Sequence, residues 1–272
     1  MERLQKALDR ARAERERTLH ANVTVPAERA VAAPPPDPVV LRRTRVVQVE
    51  PSVLRANGVM PADASGPVGH SFKMLRTQIL QRMQQRGWNT LAVVSPAPDD
   101  GKTFVAINLA IAIAGDTNHT ALLVDFDLRN PNVHQRFGFQ PQSGVEQCLR
   151  GAVPVADALV NPQGYRKLLL LPGLGAVSNS SELLASERTK KLTREVKNRY
   201  ANRVVLFDLP PVLGADDALA FAPQVDAALV VVGEEHTRRE DLLRCFEILR
   251  NIPVIGTVLN GSRTDASNAF AY

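Results

Sequence analysis

The chain has 272 residues, of which 44% are hydrophobic, 22% charged and 5% aromatic, and its formal net charge is +5. This composition is typical of a globular protein, and the length suffices for one large α/β domain that needs no disulfide or metal for stability. No apolar run approaches the roughly 20 residues that span a bilayer, and the charged N-terminus does not resemble a signal peptide. The two cysteines, Cys148 and Cys245, form no CxxC pair. These features predict a cytoplasmic protein without a transmembrane segment.

The positive charge is concentrated near the N-terminus, because residues 1–60 carry a net charge of +4 and the remainder only +1. Apolar residues at helical spacing, surrounded by arginine and glutamate, predict an amphipathic helix over residues 1–20. This basic arm either contacts an anionic lipid or acidic partner or is simply solvated. Residues 61–272 lack the basic excess that phosphate contacts require, so direct nucleic-acid binding is not expected.

Composition divides the rest of the chain into three parts. Proline and alanine dominate the stretch after the first helix, which predicts a flexible linker over residues 21–66. A folded domain is expected over residues 67–262. The last ten residues, 263–272, are polar and predict a flexible C-terminal tail.

Hydrophobic periodicity predicts alternating strands and helices through the folded domain. Strands are expected at 91–95, 121–127, 167–173, 203–208, 227–233 and 253–260, and helices at 70–86, 102–114, 181–199, 215–222 and 237–250. Strands this apolar must be covered on both faces. The predicted fold is therefore α/β, a doubly wound and mostly parallel sheet with flanking helices and a ligand site at the carboxyl ends of its strands.

The segment VVSPAPDDGKTFVAINLA (93–110) runs from an apolar strand through a loop into a helix that opens with Gly-Lys-Thr. Backbone N–H groups at such a helix start attract an anion. Lys102 would then reach the β- and γ-phosphates of a nucleotide, and the Thr103 hydroxyl would bind Mg²⁺. The P-loop pattern G-x-x-x-x-G-K-[ST] would place glycine at position 96, where this chain has Pro96.

A second segment, LLVDFDLRNP (122–131), places two carboxylates at the end of a buried strand. Asp125 and Asp127 are two residues apart, so both would point to the same side, where they could hold Mg²⁺ or accept a proton from an attacking hydroxyl. Arg129 continues this alternation and could offset their charge or touch phosphate.

A third segment, VVLFDLPP (204–211), places Asp208 after four apolar residues, as in a Walker B strand whose acidic residue orients Mg²⁺.

In this order the segments resemble the bacterial tyrosine autokinases of polysaccharide synthesis, a family of deviant P-loop ATPases. The resemblance covers roughly residues 70–270 and rests on SPAPDDGKT, LLVDFDLRNP, LFDLPPV, SELLASERTKKL and the pair Leu259-Asn260. The segment LRANGVMP (54–61) and the charged N-terminus look most like the branch found with exosortase-type exopolysaccharide loci.

The resemblance implies an ATP-Mg²⁺ site with assigned residues. The nucleotide-binding set is Pro98, Asp99, Asp100, Gly101, Lys102, Thr103, Phe104, Arg129 and Asn260, with Asn260 near the adenine. The metal set is Thr103, Asp125, Asp127 and Asp208, and the catalytic residues are Lys102, Asp125 and Asp127.

The resemblance also implies partners. A membrane-embedded chain-length determinant, or polysaccharide co-polymerase, would activate the kinase at the inner membrane. Homo-oligomer formation is questioned, because the subunit-contact motif E-x-x-R-x-x-R survives only as Lys73 and Arg76 in HSFKMLR.

Two departures from the family bear on activity. Asp99 and Asp100 stand where the family has glycine and glutamate, which predicts weaker nucleotide affinity through repulsion and an unfavourable backbone conformation. The usual C-terminal tyrosine cluster is missing. Tyr165 and Tyr200 are expected to be packing residues, which leaves the terminal Tyr272 as the phosphoacceptor candidate.

Two functions therefore stay open. One is an ATP-Mg²⁺-dependent protein-tyrosine autokinase that regulates exopolysaccharide or capsule chain length or export. The alternative is a non-kinase ATP-binding switch with weak ATPase activity that docks on the membrane partner. A septum-type ATPase is disfavoured because residues 95–100 lack the extra lysine of that group.

Overall fold

The computed structural model describes residues 44–262, and the description below is confined to them. They form eight strands: β1 Arg45–Val47, β2 Thr90–Val94, β3 Thr120–Asp125, β4 Val160–Pro162, β5 Leu168–Leu171, β6 Arg203–Asp208, β7 Ala227–Gly233 and β8 Val254–Asn260. The α-helices are α1 Pro51–Ala56, α2 Pro67–Arg86, α3 Lys102–Ala114, α4 Val133–Phe137, α5 Val145–Arg150, α6 Val155–Ala158, α7 Ser180–Ala185, α8 Glu187–Asn198, α9 Asp217–Phe221 and α10 Arg239–Ile248.

The eight strands form one sheet in the order β1-β4-β5-β3-β6-β2-β7-β8. All neighbouring strands pair in parallel except β4 and β5, which are antiparallel. Successive strand residues alternate between two buried clusters, since Leu91 and Val93 pack on one face and Ala92 and Val94 on the other. The predicted doubly wound, mostly parallel α/β fold is confirmed, and the apolar strands are apolar because both faces are covered.

The predicted strands and helices are found within a few residues of their expected bounds, with one exception. The helix expected over 181–199 is two helices, because the chain leaves helical geometry at Ser186. The Ser186 hydroxyl oxygen accepts a hydrogen bond from Thr189 N at 3.3 Å and so caps the start of α8. Helices α4, α5 and α6 are too short for a periodic signal and escaped the sequence pattern.

The expectation of a flexible linker through residue 66 is wrong for residues 44–66. This segment contains β1 and α1, and β1 pairs with β4. Its apolar side chains Val47, Leu54, Val59 and Met60 are buried in the same cluster as α3. The proline content of this segment predicted a linker, but Pro51 occupies the first turn of α1, where a missing N–H costs nothing.

Hydrogen bonds fasten this segment to the domain. The buried side chain of Asn108 on α3 accepts from Met60 N and donates to the Gly58 carbonyl, both at 2.9 Å. The Tyr165 hydroxyl donates to the Met60 carbonyl at 2.8 Å. Residues 58–60 are therefore part of the folded core.

The predicted N-terminal helix, the linker up to residue 43 and the C-terminal tail with Tyr272 lie outside the described residues. Within residues 44–262, no helix combines the length and apolar character needed to cross a bilayer. Cys148 and Cys245 are both free thiols.

The contacts of Asn108 predict the cost of detaching residues 58–60. Asn108→Ala should lower the free energy of unfolding by roughly 2–4 kcal/mol, because a buried N–H and a buried carbonyl both lose their partner. Denaturant unfolding measures this. The control is Asn118→Ala at an exposed asparagine, which should change stability by less than about 0.5 kcal/mol. Equal effects of the two substitutions would show that residues 58–60 add little to stability.

Candidate active site

The chemistry-bearing segments meet at the carboxyl ends of three neighbouring strands. Strand β6 lies between β3 and β2, and Asp125 at the end of β3 is in register with Asp208 at the end of β6. Val93 of β2 is in register with the same Asp208, so the loop after β2 begins beside it. The sheet therefore brings together the three segments that sequence alone could only list in order.

The loop between β2 and α3 depends on Gly101, whose φ of 87° lies in the left-handed region. A Cβ built at this position would lie 2.0 Å from Asn260 Nδ2, so only glycine fits here. The same Nδ2 donates to the Asp100 carbonyl at 3.0 Å. Asn260, expected near the adenine, thus supports the loop backbone from the end of β8.

The two acidic residues of this loop have different roles. Asp100 is 1% exposed, and its carboxylate accepts from Ala97 N at 2.9 Å and from the Thr237 hydroxyl at 2.6 Å. The expectation that both carboxylates face a triphosphate is therefore wrong for Asp100, whose charge is spent on hydrogen bonds inside the loop. Thr237 was not anticipated, because no sequence pattern pairs a residue after β7 with the loop after β2.

Asp99, by contrast, is exposed and has a φ of 62°. Asp99 is one of the residues that line the cavity described below, and its backbone lies in the region that glycine adopts at no cost. Pro96, which stands where the P-loop pattern has glycine, is buried, and its carbonyl accepts from Leu213 N at 3.2 Å. The left-handed turns of this loop are thus at Asp99 and Gly101.

The ammonium group of Lys102 is buried among the carboxylates of the site. Its Nζ lies 2.7 Å from Asp127 Oδ2 and 4.0 Å from Asp208 Oδ1. Burial by itself would lower the pKa of Lys102, but the charges of Asp208 and Asp127 outweigh it and raise the pKa above its ordinary value. Lys102 is therefore positively charged, and its ammonium group lies near the carboxylates of both Asp127 and Asp208.

Thr103 joins α3 to the end of β6. Its hydroxyl donates to Asp208 Oδ2 at 2.6 Å, while Asp208 Oδ1 is buried without a hydrogen bond. Burial raises the pKa of Asp208, although Lys102 and Thr103 oppose the rise. The sequence analysis places Thr103 and Asp208 in one metal set, and the structure brings their side chains into direct contact.

Asp125 is fully buried beside this pair. Its Oδ2 accepts from Val133 N at 3.0 Å, and its Oδ1 is buried without a partner. Burial and the neighbouring charge of Asp208 raise the pKa of Asp125 well above its ordinary value. Asp125 thus holds the start of α4 and keeps one oxygen available to a cation.

The donor set fits magnesium. Two buried carboxylate oxygens, on Asp125 and Asp208, have no hydrogen bond, and the Thr103 hydroxyl contacts the Asp208 carboxylate. Mg²⁺ prefers such oxygen ligands. No cage of three His, Cys, Asp or Glu side chains occurs within residues 44–262. Mg²⁺ would accordingly be held by Thr103 and Asp208 together with phosphate oxygens and water. The carboxylate of Asp127 is engaged by Lys102 and by Asn130 N at 3.1 Å.

A cavity of about 350 Å³ opens in front of this cluster, within the range that small-molecule sites occupy. One wall is the P-loop, and the others come from the loops after β3 and β6. The lining residues are Pro98, Asp99, Gly101, Lys102, Thr103, Phe104, Asp127, Arg129, Asn130, Asn132, Arg136, Pro210, Pro211, Gly214 and Ala215. Of the predicted site residues, Asp100, Asp125, Asp208 and Asn260 lie outside this lining and support it.

Arg129 lines the cavity but does not offset the charges of Asp125 and Asp127. Its Nε donates to Asp217 Oδ2 at 2.8 Å and its Nη2 to Asp216 Oδ1 at 3.2 Å. Arg129 therefore ties the loop after β3 to the start of α9. Of the two roles predicted for Arg129, the offsetting of these charges is not found, and contact with phosphate stays a prediction.

Two of the three tyrosines lie within the described residues. Tyr165 is 5% exposed, and burial raises the pKa of its hydroxyl to about 12, so it is the packing residue that the sequence predicts. Tyr200 follows α8, and the guanidinium groups of Arg203 and Arg199 lie 4.2 Å and 6.0 Å from its ring centre. Both lie before or between strands, away from the carboxyl-end cavity.

A strand, a loop with Gly-Lys-Thr at the start of its helix, and an aspartate bonded to the threonine define the P-loop class of nucleotide-binding proteins. No protein-family model matches the chain. The chain is 26% identical to the tyrosine-protein kinase YwqD of Bacillus subtilis over 223 residues, covering 81% of the chain and 92% of YwqD. It is 34% identical to the succinoglycan biosynthesis transport protein ExoP of Rhizobium meliloti over 205 residues, covering 74% of the chain.

Coverage of the relatives differs. The chain spans 25% of ExoP and 28% of the putative tyrosine-protein kinase AmsA of Erwinia amylovora, against nearly all of YwqD. Among solved structures, the kinase domain of the Escherichia coli tyrosine kinase ETK matches with a TM-score of 0.66 and 27% identity, covering 75% of this chain and 79% of that one.

The septum site-determining protein MinD from Pyrococcus horikoshii, solved with Mg-ADP, matches in fold with a TM-score of 0.56 and 21% identity, covering 65% of this chain and 72% of that one. The chain belongs to the bacterial tyrosine-kinase family. Its placement in the exosortase-associated branch stays a prediction.

The position of Asp99 predicts its effect on nucleotide affinity. Asp99→Asn removes a charge from the cavity lining but tolerates the same φ, and Asp99→Gly also removes the backbone cost. We expect Asp99→Asn to tighten ATP binding about five-fold at low salt and Asp99→Gly to tighten it further. Titration calorimetry at low and high salt separates the charge contribution from the backbone contribution, because salt screens only the charge. An Asp99→Gly protein that binds ATP no more tightly than wild type would contradict the prediction.

Proposed function

We propose that this protein is an ATP-Mg²⁺-dependent protein-tyrosine kinase that regulates the synthesis, chain length or export of an extracellular polysaccharide. The family to which the chain belongs supplies the reaction class. The observation that carries the proposal is the joint placement of Lys102, Thr103 and Asp127 at the wall of one cavity, with Asp208 hydrogen-bonded to Thr103 behind that wall.

The geometry suits binding of a triphosphate. Helix α3 begins at Lys102 and directs its first N–H groups and the positive end of its dipole toward the cavity. Lys102 would exchange part of its contact with Asp127 for the phosphates, because both carboxylate and phosphate oxygens satisfy its ammonium group. Thr103 and Asp208 would hold Mg²⁺, which would supply positive charge to the bound phosphates.

Phosphoryl transfer then needs a proton acceptor beside the attacking hydroxyl. Asp127 lines the cavity, whereas Asp125 is fully buried and does not. We assign the proton to Asp127 and assign to Asp125 the support of α4 and the metal surroundings. The tyrosine oxygen bonds to the γ-phosphorus as the bond from phosphorus to the ADP oxygen breaks, and the phenolic proton passes to Asp127.

The acceptor and the partner follow from the same proposal. Tyr165 is buried in the core, so we propose Tyr272, in the tail that follows β8, as the acceptor, reached between two copies of the chain. A membrane-embedded chain-length determinant is the proposed activator, which would bring the kinase to the cytoplasmic face of the inner membrane. ExoP, a relative by sequence, is named as a succinoglycan biosynthesis transport protein.

Substitution of Lys102 tests the proposal. The full chain is incubated with ATP and Mg²⁺, alone and with the cytoplasmic segment of the membrane partner, and phosphotyrosine is mapped by peptide mass spectrometry. We expect phosphate on Tyr272 in wild type and a loss of roughly 100-fold or more in Lys102→Met, because a charge that binds the transferring group is removed.

Lys191→Met, at an exposed lysine of α8, is the matched control and should retain wild-type phosphorylation. Nucleotide binding without phosphotyrosine on any residue, with or without the partner segment, would contradict kinase activity and favour the ATP-binding switch. Failure of the wild-type chain to bind ATP would contradict both functions.

A further inference from the structure

Three cations line the cavity, and two of them are already neutralised. Lys102 is held by Asp127, and Arg129 is held by Asp216 and Asp217. The third, Arg136, is exposed and lines the same cavity. Within residues 44–262, no carboxylate or carbonyl is hydrogen-bonded to its guanidinium. Its charge is therefore available to a ligand in the cavity.

The backbone of Arg136 is fixed relative to the catalytic carboxylates. Helix α4 begins where Val133 N donates to Asp125 Oδ2 at 3.0 Å. It ends where the side chain of Asn57 donates to the Arg136 carbonyl at 3.1 Å and to the Gln135 carbonyl at 3.3 Å. With both ends held, the Arg136 side chain projects from a defined point beside the site.

Arg136 shares its cavity with residues that the proposed function assigns to phosphate and magnesium. It lines the same cavity as Lys102 and Thr103, and the Thr103 hydroxyl donates to Asp208 Oδ2 at 2.6 Å. A positive charge in this cavity would attract a phosphate group bound at the start of α3. A guanidinium binds two phosphate oxygens through a planar fork of N–H groups, whereas an ammonium group lacks this fixed geometry.

We propose that Arg136 contacts the terminal phosphate of the bound nucleoside triphosphate and stabilises the charge on the transferring phosphoryl group. This role would be that of an arginine supplied by the same chain. No sequence pattern pointed to Arg136, because it lies outside the segment LLVDFDLRNP (122–131), on a helix too short to be predicted. The inference rests on the proposed nucleotide site. It predicts that Arg136 favours ATP over ADP, because ADP lacks the terminal phosphate that Arg136 would contact.

The test compares Arg136→Ala and Arg136→Lys in the full chain, with Mg²⁺ present, by calorimetric binding of ATP and of ADP and by the single-turnover rate of γ-phosphate transfer. We expect Arg136→Ala to weaken ATP binding about ten-fold, to change ADP binding less than about two-fold and to slow transfer roughly 100-fold. Arg136→Lys should give values between those of wild type and Arg136→Ala, because it keeps the charge and loses the two-oxygen contact.

Arg166→Ala, at an exposed arginine before β5 and far from the carboxyl ends of the strands, is the matched control and should behave as wild type. Equal weakening of ATP and ADP would overturn the inference, because Arg136 would then act only as a general positive field. Variants that match Arg166→Ala in both binding and rate would also overturn it, and the proposed nucleotide site would stand. A wild-type chain that binds no nucleotide would overturn both.

Discussion

The structure of the site depends on one buried positive charge. Lys102 places its ammonium group against Asp127 and near Asp208. Asp125, at the end of β3, lies in register with Asp208 at the end of β6. Three carboxylates buried together would repel each other at a large cost in free energy unless a cation were present. Lys102 supplies one positive charge against these carboxylates, while burial and the charge of Asp208 raise the pKa of Asp125. The remaining negative charge makes the cluster receptive to a divalent cation.

The second constraint is the support of the loop between β2 and α3 by residues that follow β7 and end β8. The Asp100 carboxylate accepts a hydrogen bond from the Thr237 hydroxyl after β7, and the Asp100 carbonyl accepts one from Asn260 Nδ2 at the end of β8. Gly101 allows this close approach because it has no side chain. An acidic residue that sequence suggests would repel the nucleotide is thus a structural element of the loop. Of the two acidic residues, only Asp99 lines the cavity.

A third link connects residues 44–66 to the site. Asn57 caps α4, which carries Arg136, and Gly58 lies against Phe104 in the first turn of α3. Residues 58–60 are also bonded to Asn108 on the same helix. The segment that precedes the predicted domain therefore contacts two helices that line the cavity. Its removal would disturb the positions of cavity-lining side chains as well as the hydrophobic core.

The sequence by itself determined the fold class, the order of the main strands and the identity of the Gly-Lys-Thr, Asp125, Asp127 and Asp208 positions. Apolar strand runs and helix starts are local properties, so they are legible without tertiary contacts. Only the tertiary structure decided that Asp100 turns inward, that Arg129 pairs with Asp217 and that residues 44–66 are folded. Each depends on a partner distant in sequence, such as Thr237, Asp217 or Asn108, and no periodicity encodes such partners. For the same reason Arg136 became visible only when the sheet and α4 placed it beside the cavity.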